Sequence, residues 1–137
     1  MRKHLMTVVG YVTVVVAFLC LLYVAGVFYG RFGGDAGVAR ELREAAEQGD
    51  MEAQNQLGTM YVQGKGVVRD FEEAAKWFRK AAEREHAPAQ KHLGQMYRWG
   101  KGVAQSYAQA VKWSRRAAEQ GDARAQYNLG VAYAEGE

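Results

Sequence analysis

The sequence predicts an all-α protein, an α-solenoid of helix–turn–helix repeats preceded by a single transmembrane helix. Three observations carry that prediction. An uncharged stretch runs from Leu5 to Tyr29, the remainder repeats itself every 36 residues, and each repeat carries helical periodicity with paired start and stop signals.

The uncharged stretch comes first. A bilayer core needs about 20 apolar residues in a helix, and residues 5–29 exceed that. A basic tail, residues 1–4 with Arg2 and Lys3, precedes it, Arg31 follows it, and Tyr23, Phe28, Tyr29 and Phe32 crowd its far end as an aromatic belt would. A cleaved signal peptide would show an apolar region of about 7–15 residues ending in a small-x-small site. Here the run is longer, and Tyr23 stands where a small residue is needed before Ala25-Gly26. Cys20 follows the bulky pair Phe18-Leu19, which does not suit a lipidation site. The reading is an uncleaved signal-anchor that engages the lipid bilayer. Basic residues on both flanks (Arg31, Arg40 and Arg43 on the far side) divide the positive-inside count. A short basic tail before a long apolar run favours a cytoplasmic N-terminus, with the repeats outside the cytoplasm. Gly26 and Gly30 form a GxxxG spacing, for which flexible residues near the end of the span are the plain explanation.

Charge supports the same division. Lys and Arg number 18 against 15 Asp and Glu, a net +3, and Arg2, Lys3 and Arg31 supply the surplus. From Asp35 onward the chain is neutral, so the basic excess of a nucleic-acid-binding domain is missing and no nucleic-acid partner is expected. Cys20 is the only cysteine and lies in the apolar run, which excludes an intramolecular disulfide and a Cys-based zinc site.

After a Gly-rich linker, residues 30–34, the repeats begin. Gln54, Gln90 and Gln126 are 36 apart, as are Leu57, Leu93 and Leu129; Gly58, Gly94 and Gly130; and Tyr61, Tyr97 and Tyr133. Trp77 recurs as Trp113, and Ala45-Ala46-Glu47 recurs as Ala81-Ala82-Glu83 and Ala117-Ala118-Glu119. The domain at residues 35–137 divides into a half repeat (35–48), two repeats (49–84 and 85–120) and a partial repeat (121–137). In each, a first helix near residues 51–62 puts Ala53, Leu57, Met60 and Tyr61 on one face and stops at Gly64. A second helix opens at Asp70 with Glu73 three residues on, or at Ser106 with Gln109, as capping boxes. Asp50, His86 and Asp122 stand at the caps of the first helices, and His92 shares a column with Gln56 and Asn128, expected to be exposed. Gly58, Gly94 and Gly130 each cost about 1 kcal/mol inside a helix, a recurring cost that points to close approach of small residues on the partner helix.

The pattern A-x-A-Q-x-x-L-G-x-M-Y-x-x-G-x-G-V, here Ala87 through Val103, followed by A-x-x-W-x-x-x-A-A-E at Ala110 through Glu119, resembles the Sel-one-like repeat, a relative of the tetratricopeptide repeat. The resemblance covers roughly residues 35–137. It implies an α-solenoid used for protein–protein contacts, frequently in bacterial membrane-associated or secreted proteins; together with the anchor, the resemblance implies a bacterial inner membrane with the repeats in the periplasm. One branch of that family carries a cysteine pair in each repeat and is linked to β-lactams; this chain lacks the pair, so that link is not carried over.

No catalytic constellation is present, and no cofactor or metal is expected. Glu85, His86 and His92 are the closest approach to a metal cluster, but His86 and His92 are six apart and face different ways on a helix. Ser106 is a helix cap and Ser114 occupies the column of Phe78; neither begins S-x-x-K, and G-x-S-x-G is absent. The G-K-G turns at residues 64–66 and 100–102 follow helices and do not match a phosphate loop. Lys76, Arg79, Lys80 and Arg84, then Lys112, Arg115 and Arg116, form a basic stripe on the second helices, read as a solvated face.

These readings point to a membrane-anchored interaction scaffold or adaptor. Columns of the first helices whose identity changes between repeats mark the candidate binding stripe: Asn55, Lys91 and Tyr127; Thr59 and Gln95; Arg98; and Trp99. Val62 and Gln63 fall in the same columns. Trp99 is the strongest member, and its rival role is to cover the turn at residues 100–102. The alternatives are a regulatory or ligand-binding subunit of a larger membrane complex, or a hydrolase acting on cell-wall material or β-lactams. The last helix, with Tyr127, Leu129 and Tyr133, lacks one neighbour: either the chain is a truncated member of a longer family, or that edge meets another protein or a second copy of this chain.

Overall fold

The computed structural model describes residues 2–28 and 34–135, and all its regular elements are helices. They are α1 (Arg2–Phe28), α2 (Gly34–Glu47), α3 (Met51–Gln63), α4 (Phe71–Glu83), α5 (Ala87–Trp99), α6 (Tyr107–Glu119) and α7 (Ala123–Glu135). The chain divides into two compact units, residues 1–35 and 36–137.

The first unit is α1. Its stretch Arg2–Gly26, 25 residues long, is apolar enough to cross a membrane by length and composition, and none of it is buried. At 1.5 Å per residue it reaches about 37 Å, against a hydrocarbon core of about 30 Å. Tyr29, Gly30, Arg31 and Phe32, with the linker glycine at position 33, lie outside the described residues, so the far end of the expected span and the second glycine of GxxxG lie there too.

In the second unit α3 packs against α4 and α5 against α6, the first and second helices of two repeats, and α4 and α6 pack in turn against the first helix that follows. Helix starts and stops obey the signals in the sequence. The Asp50 carboxylate accepts from the Ala53 N–H, Asp70 from Glu72 and Glu73, Ser106 from Gln109, and Asp122 from Ala125. Gly64 and Gly100 end α3 and α5 with φ of 67° and 60°. The loops between paired helices close on the tyrosine column, since the Asp70 and Ser106 N–H groups donate to the carbonyls of Tyr61 and Tyr97.

The core is built largely of alanine, which lets the helices approach closely. Ala74, Ala75, Ala81 and Ala82 of α4 meet Ala89 and Leu93 of α5, with Phe78 and Trp113 filling the space between. Ala46 of α2, Ala53 and Leu57 of α3 and Trp77 of α4 form the layer before it. Both tryptophans are core residues. The glutamine column joins successive repeats: the Gln54 side chain donates to the Ala46 carbonyl (3.0 Å) and Gln90 to that of Ala82 (3.1 Å). These carbonyls lie in the last turn of a helix, where intrahelical donors run out. The recurring A-A-E and A-Q segments are thus two halves of one junction.

The in-helix glycines differ from one another. A Cβ on Gly94 would stand 2.8 Å from the Ser114 hydroxyl and 3.3 Å from the Ala110 carbonyl oxygen, the expected close approach of small residues. At Gly58 the neighbour is not small: a Cβ would stand 2.7 Å from the Phe78 ring, so the missing side chain leaves room for an aromatic one. At Gly130 nothing lies within 4 Å.

Candidate functional site

The first helices α3, α5 and α7 lie side by side, and their shared face carries the residues expected to form a binding stripe. The structure does not present all of them. Asn55 is buried, and its amide oxygen lies 3.1 Å from Nδ1 of His92 on the next first helix. Arg98 makes a two-pronged ion pair with Glu135, both hydrogen bonds 2.6 Å, which holds the Glu135 carboxyl below the usual carboxylate range. Lys91 lies 3.8 Å from Asp122 and is mostly covered. These three positions, drawn from two of the varied columns, are taken up by contacts between repeats, not left open to solvent. Internal variation marks such contacts as readily as it marks free surface, because two neighbouring columns can change together.

Thr59, Gln95 and Trp99 are brought together. They line one cavity of about 260 Å³ between α3 and α5, with Val62 and Gln63 of the same columns. Its remaining lining, which the column comparison missed, comes from Phe71, Phe78, His92, Met96 and Lys101. Tyr127, on α7, is widely exposed and does not line the cavity.

Local sequence explains the shape. Gly58 admits the Phe78 ring against α3, and that ring meets the imidazole of His92 at 4.8 Å between centroids. At the other end, Gly102 has φ 69°, and a Cβ there would collide with the Phe71 carbonyl. Glycine therefore lets the loop after α5 rest on the start of α4, which brings Lys101 beside Phe71. The Lys101 ammonium lies 5.6 Å from the Phe71 ring centroid and 5.8 Å from that of Trp99, within cation–π range. The Arg98 guanidinium lies 5.1 Å from the same indole. Trp99 is 53% exposed, so it flanks the turn at residues 100–102 while still presenting a face to solvent.

Burial is the main reason His92 has its pKa lowered to about 4, with the positive charge of Lys91 adding to it and the carboxylate of Asp122 opposing it. The ring is neutral at physiological pH. The expectation that this column is exposed holds for Gln56 alone: His92 is partly covered and Asn128 is buried. His86 caps α5, its Nδ1 accepting from the Ala89 N–H at 3.3 Å while Nε2 faces Glu52 at 3.1 Å. Among the described residues no group of three or more His, Cys, Asp or Glu side chains is placed to hold a metal ion.

The Sel1 repeat model matches at residues 52–86, 87–122 and 123–137, more than half of the chain. The chain belongs to the Sel1 repeat family. Among solved structures it resembles the Sel1 repeat protein from Oxalobacter formigenes, with 43% identity and a TM-score of 0.68 over 72% of this chain and 40% of that one. A protective antigen present in uropathogenic Escherichia coli strains, displaying an SLR fold, matches with 38% identity and a TM-score of 0.72 over 83% of this chain and 25% of that one. Helicobacter pylori cysteine rich protein B matches with 31% identity and a TM-score of 0.61 over 64% and 65% of the two chains. This Sel1 repeat chain therefore spans only part of the length of these relatives. No curated protein matches it. Sel1 repeats generally mediate contacts between proteins and are typically non-catalytic.

Proposed function

We propose that this Sel1 repeat protein is a membrane-anchored interaction scaffold that receives a protein partner in the groove between α3 and α5. The observation that carries the reading is the cavity itself. It gathers Thr59, Gln95 and Trp99, whose columns change between the repeats of this chain, around an apolar floor. A half-exposed tryptophan beside a basic side chain has the composition of an interface hot spot.

The anchor is residues 5–29, acting as an uncleaved signal-anchor with the N-terminus in the cytoplasm and the repeats in the periplasm. Its support is the length and apolar composition of α1 and the basic residues before it. Mass spectrometry of the membrane fraction tests this part: an intact N-terminal peptide is expected, and a mature chain beginning near Gly26 identifies a cleaved signal sequence instead. Purification of the full chain in mild detergent tests the scaffold role. The expected result is a defined set of co-purifying proteins that is lost with Trp99→Ala while the variant keeps its melting curve.

A further inference from the structure

Resting on the groove reading above, we propose the chemistry of the segment that enters it: a peptide in which an apolar side chain stands next to a carboxylate, the apolar side chain seated over Phe78 and the carboxylate paired with Lys101.

Size limits the occupant first. The cavity, about 260 Å³, falls below the roughly 300–1,000 Å³ typical of small-molecule sites. It is large enough for one or two side chains. The floor is Phe78 and Met96, both nearly buried, and the thioether lets the floor adapt to different apolar shapes.

The rim supplies groups suited to a peptide backbone. Gln63 and Gln95 make no side-chain hydrogen bond among the described residues, and each carboxamide offers both a donor and an acceptor, as a peptide group requires. Thr59 is different, because its hydroxyl already donates to the Asn55 carbonyl at 3.0 Å.

Charge then selects the sign. The lining contains one cation, Lys101, and no carboxylate. Of the other basic side chains around the groove, Arg98 is engaged by Glu135 and Lys91 by Asp122, and Arg69, whose guanidinium lies 5.6 Å from the Phe71 ring, does not line the cavity; Lys101 does, and has no carboxylate within ion-pair distance among the described residues. It sits between the Phe71 and Trp99 rings, which displace part of its water. Lys101 is exposed, so an anion brought beside it gains a modest, salt-dependent attraction to an unpaired cation. The imidazole on the floor is neutral and adds no second charge. The combination of an apolar seat, two unengaged carboxamides and a single cation at one end fits a short acidic peptide better than a lipid surface, which would need a broader basic patch.

The test uses the full chain in detergent micelles and three fluorescent peptides with identical Gly-Ser flanks, centred on Glu-Leu-Glu, Lys-Leu-Lys or Glu-Ser-Glu, read by anisotropy. The Glu-Leu-Glu peptide is expected to bind about tenfold or more tightly than either of the others. Lys101→Glu should reverse the order of the acidic and basic peptides, and Trp99→Ala should weaken the Glu-Leu-Glu peptide by about tenfold or more. If the basic peptide binds as well as the acidic one, or Lys101→Glu leaves the order unchanged, the proposed chemistry is wrong. The groove reading survives that result only where Trp99→Ala still weakens binding. Binding that Trp99→Ala leaves untouched overturns both. No binding of the Glu-Leu-Glu peptide up to about 1 mM, or its displacement by anionic vesicles alone and by no unlabelled peptide, overturns the acidic-peptide proposal.

Discussion

The phenol of Tyr97 accepts a 2.7 Å hydrogen bond from the guanidinium of Arg79, eighteen residues earlier and one helix layer away. The same pair occurs as Arg43 with Tyr61 at 2.5 Å and as Arg115 with Tyr133. Each arginine belongs to a second helix and each tyrosine to the first helix of the next repeat, so the bond joins units across half the 36-residue period. The tyrosine backbone serves the loop and its hydroxyl serves the junction, which explains why this column is constant within the chain.

Tyr97→Phe removes only the hydroxyl. It should lower stability by about 1 kcal/mol, the usual net value of one hydrogen bond. Arg79→Ala should cost more, because it also removes a partly covered aliphatic stem. A double-mutant cycle by urea unfolding should return a coupling energy of roughly 0.5–1 kcal/mol, and a coupling indistinguishable from zero would show that the bond contributes nothing to the junction.

Gly94 and Gly130 share a column but should respond to mutation with opposite signs. Gly94→Val drives a branched side chain into Ser114 and the α6 backbone, and overpacking of this kind typically costs about 1–3 kcal/mol. Gly130→Ala meets open space in a helix, so it should stabilise by up to about 1 kcal/mol through helix propensity. Thermal melts of the two variants check both signs together.

His92 should make the repeat domain sensitive to acid. Its pKa is about 4 when folded and about 6.5 when unfolded, so between those values the unfolded chain binds more protons. Stability is therefore highest above pH 6.5 and is lost as pH falls toward 4, by roughly 3 kcal/mol for this group. Lys91 and His86 oppose the ring's protonation and Asp122 favours it. Carboxylates engaged in pairs, Glu52 and Glu135 among them, act in the same direction at lower pH. The informative comparison is thus His92→Gln, the residue that Gln56 places in this column. Unfolding curves at pH 7 and pH 4.5 should show a shallower loss in the variant; equal losses would place the acid sensitivity elsewhere.

Repetition made most of this fold legible. Caps, glycine stops and the alanine, tryptophan and tyrosine columns recur at one offset, and a signal repeated three times identifies packing without an alignment. The groove was only half legible, for a physical reason. Gln63 and Trp99 stood out because their column changes, and Thr59 and Gln95 for the same reason. Phe78 and Lys101 did not, because nothing in one repeat tells which side chain of the next layer will fill the room beside a glycine. Asn55 misled in the opposite way: it varies, yet it is buried against His92, since both members of the contact differ from their counterparts in the other repeats.

Glu85 is the one non-glycine residue with positive φ among those described, at 64°. The equivalent positions in the neighbouring units hold Gly49 and Gly121, with φ of 96° and 89°. A side chain in this left-handed conformation costs roughly 1–2 kcal/mol, which glycine avoids. Glu85 offsets part of that by accepting from the Gln90 carboxamide at 3.1 Å and by facing Arg116 at 3.9 Å. The exposed ion pair is worth little. Glu85→Ala loses both contacts and keeps the strained backbone, whereas Glu85→Gly loses the contacts and relieves the strain. The glycine variant should therefore be more stable than the alanine variant by about 1 kcal/mol in urea unfolding. Equal stability of the two would mean that the junction between α4 and α5 adopts a different backbone in solution.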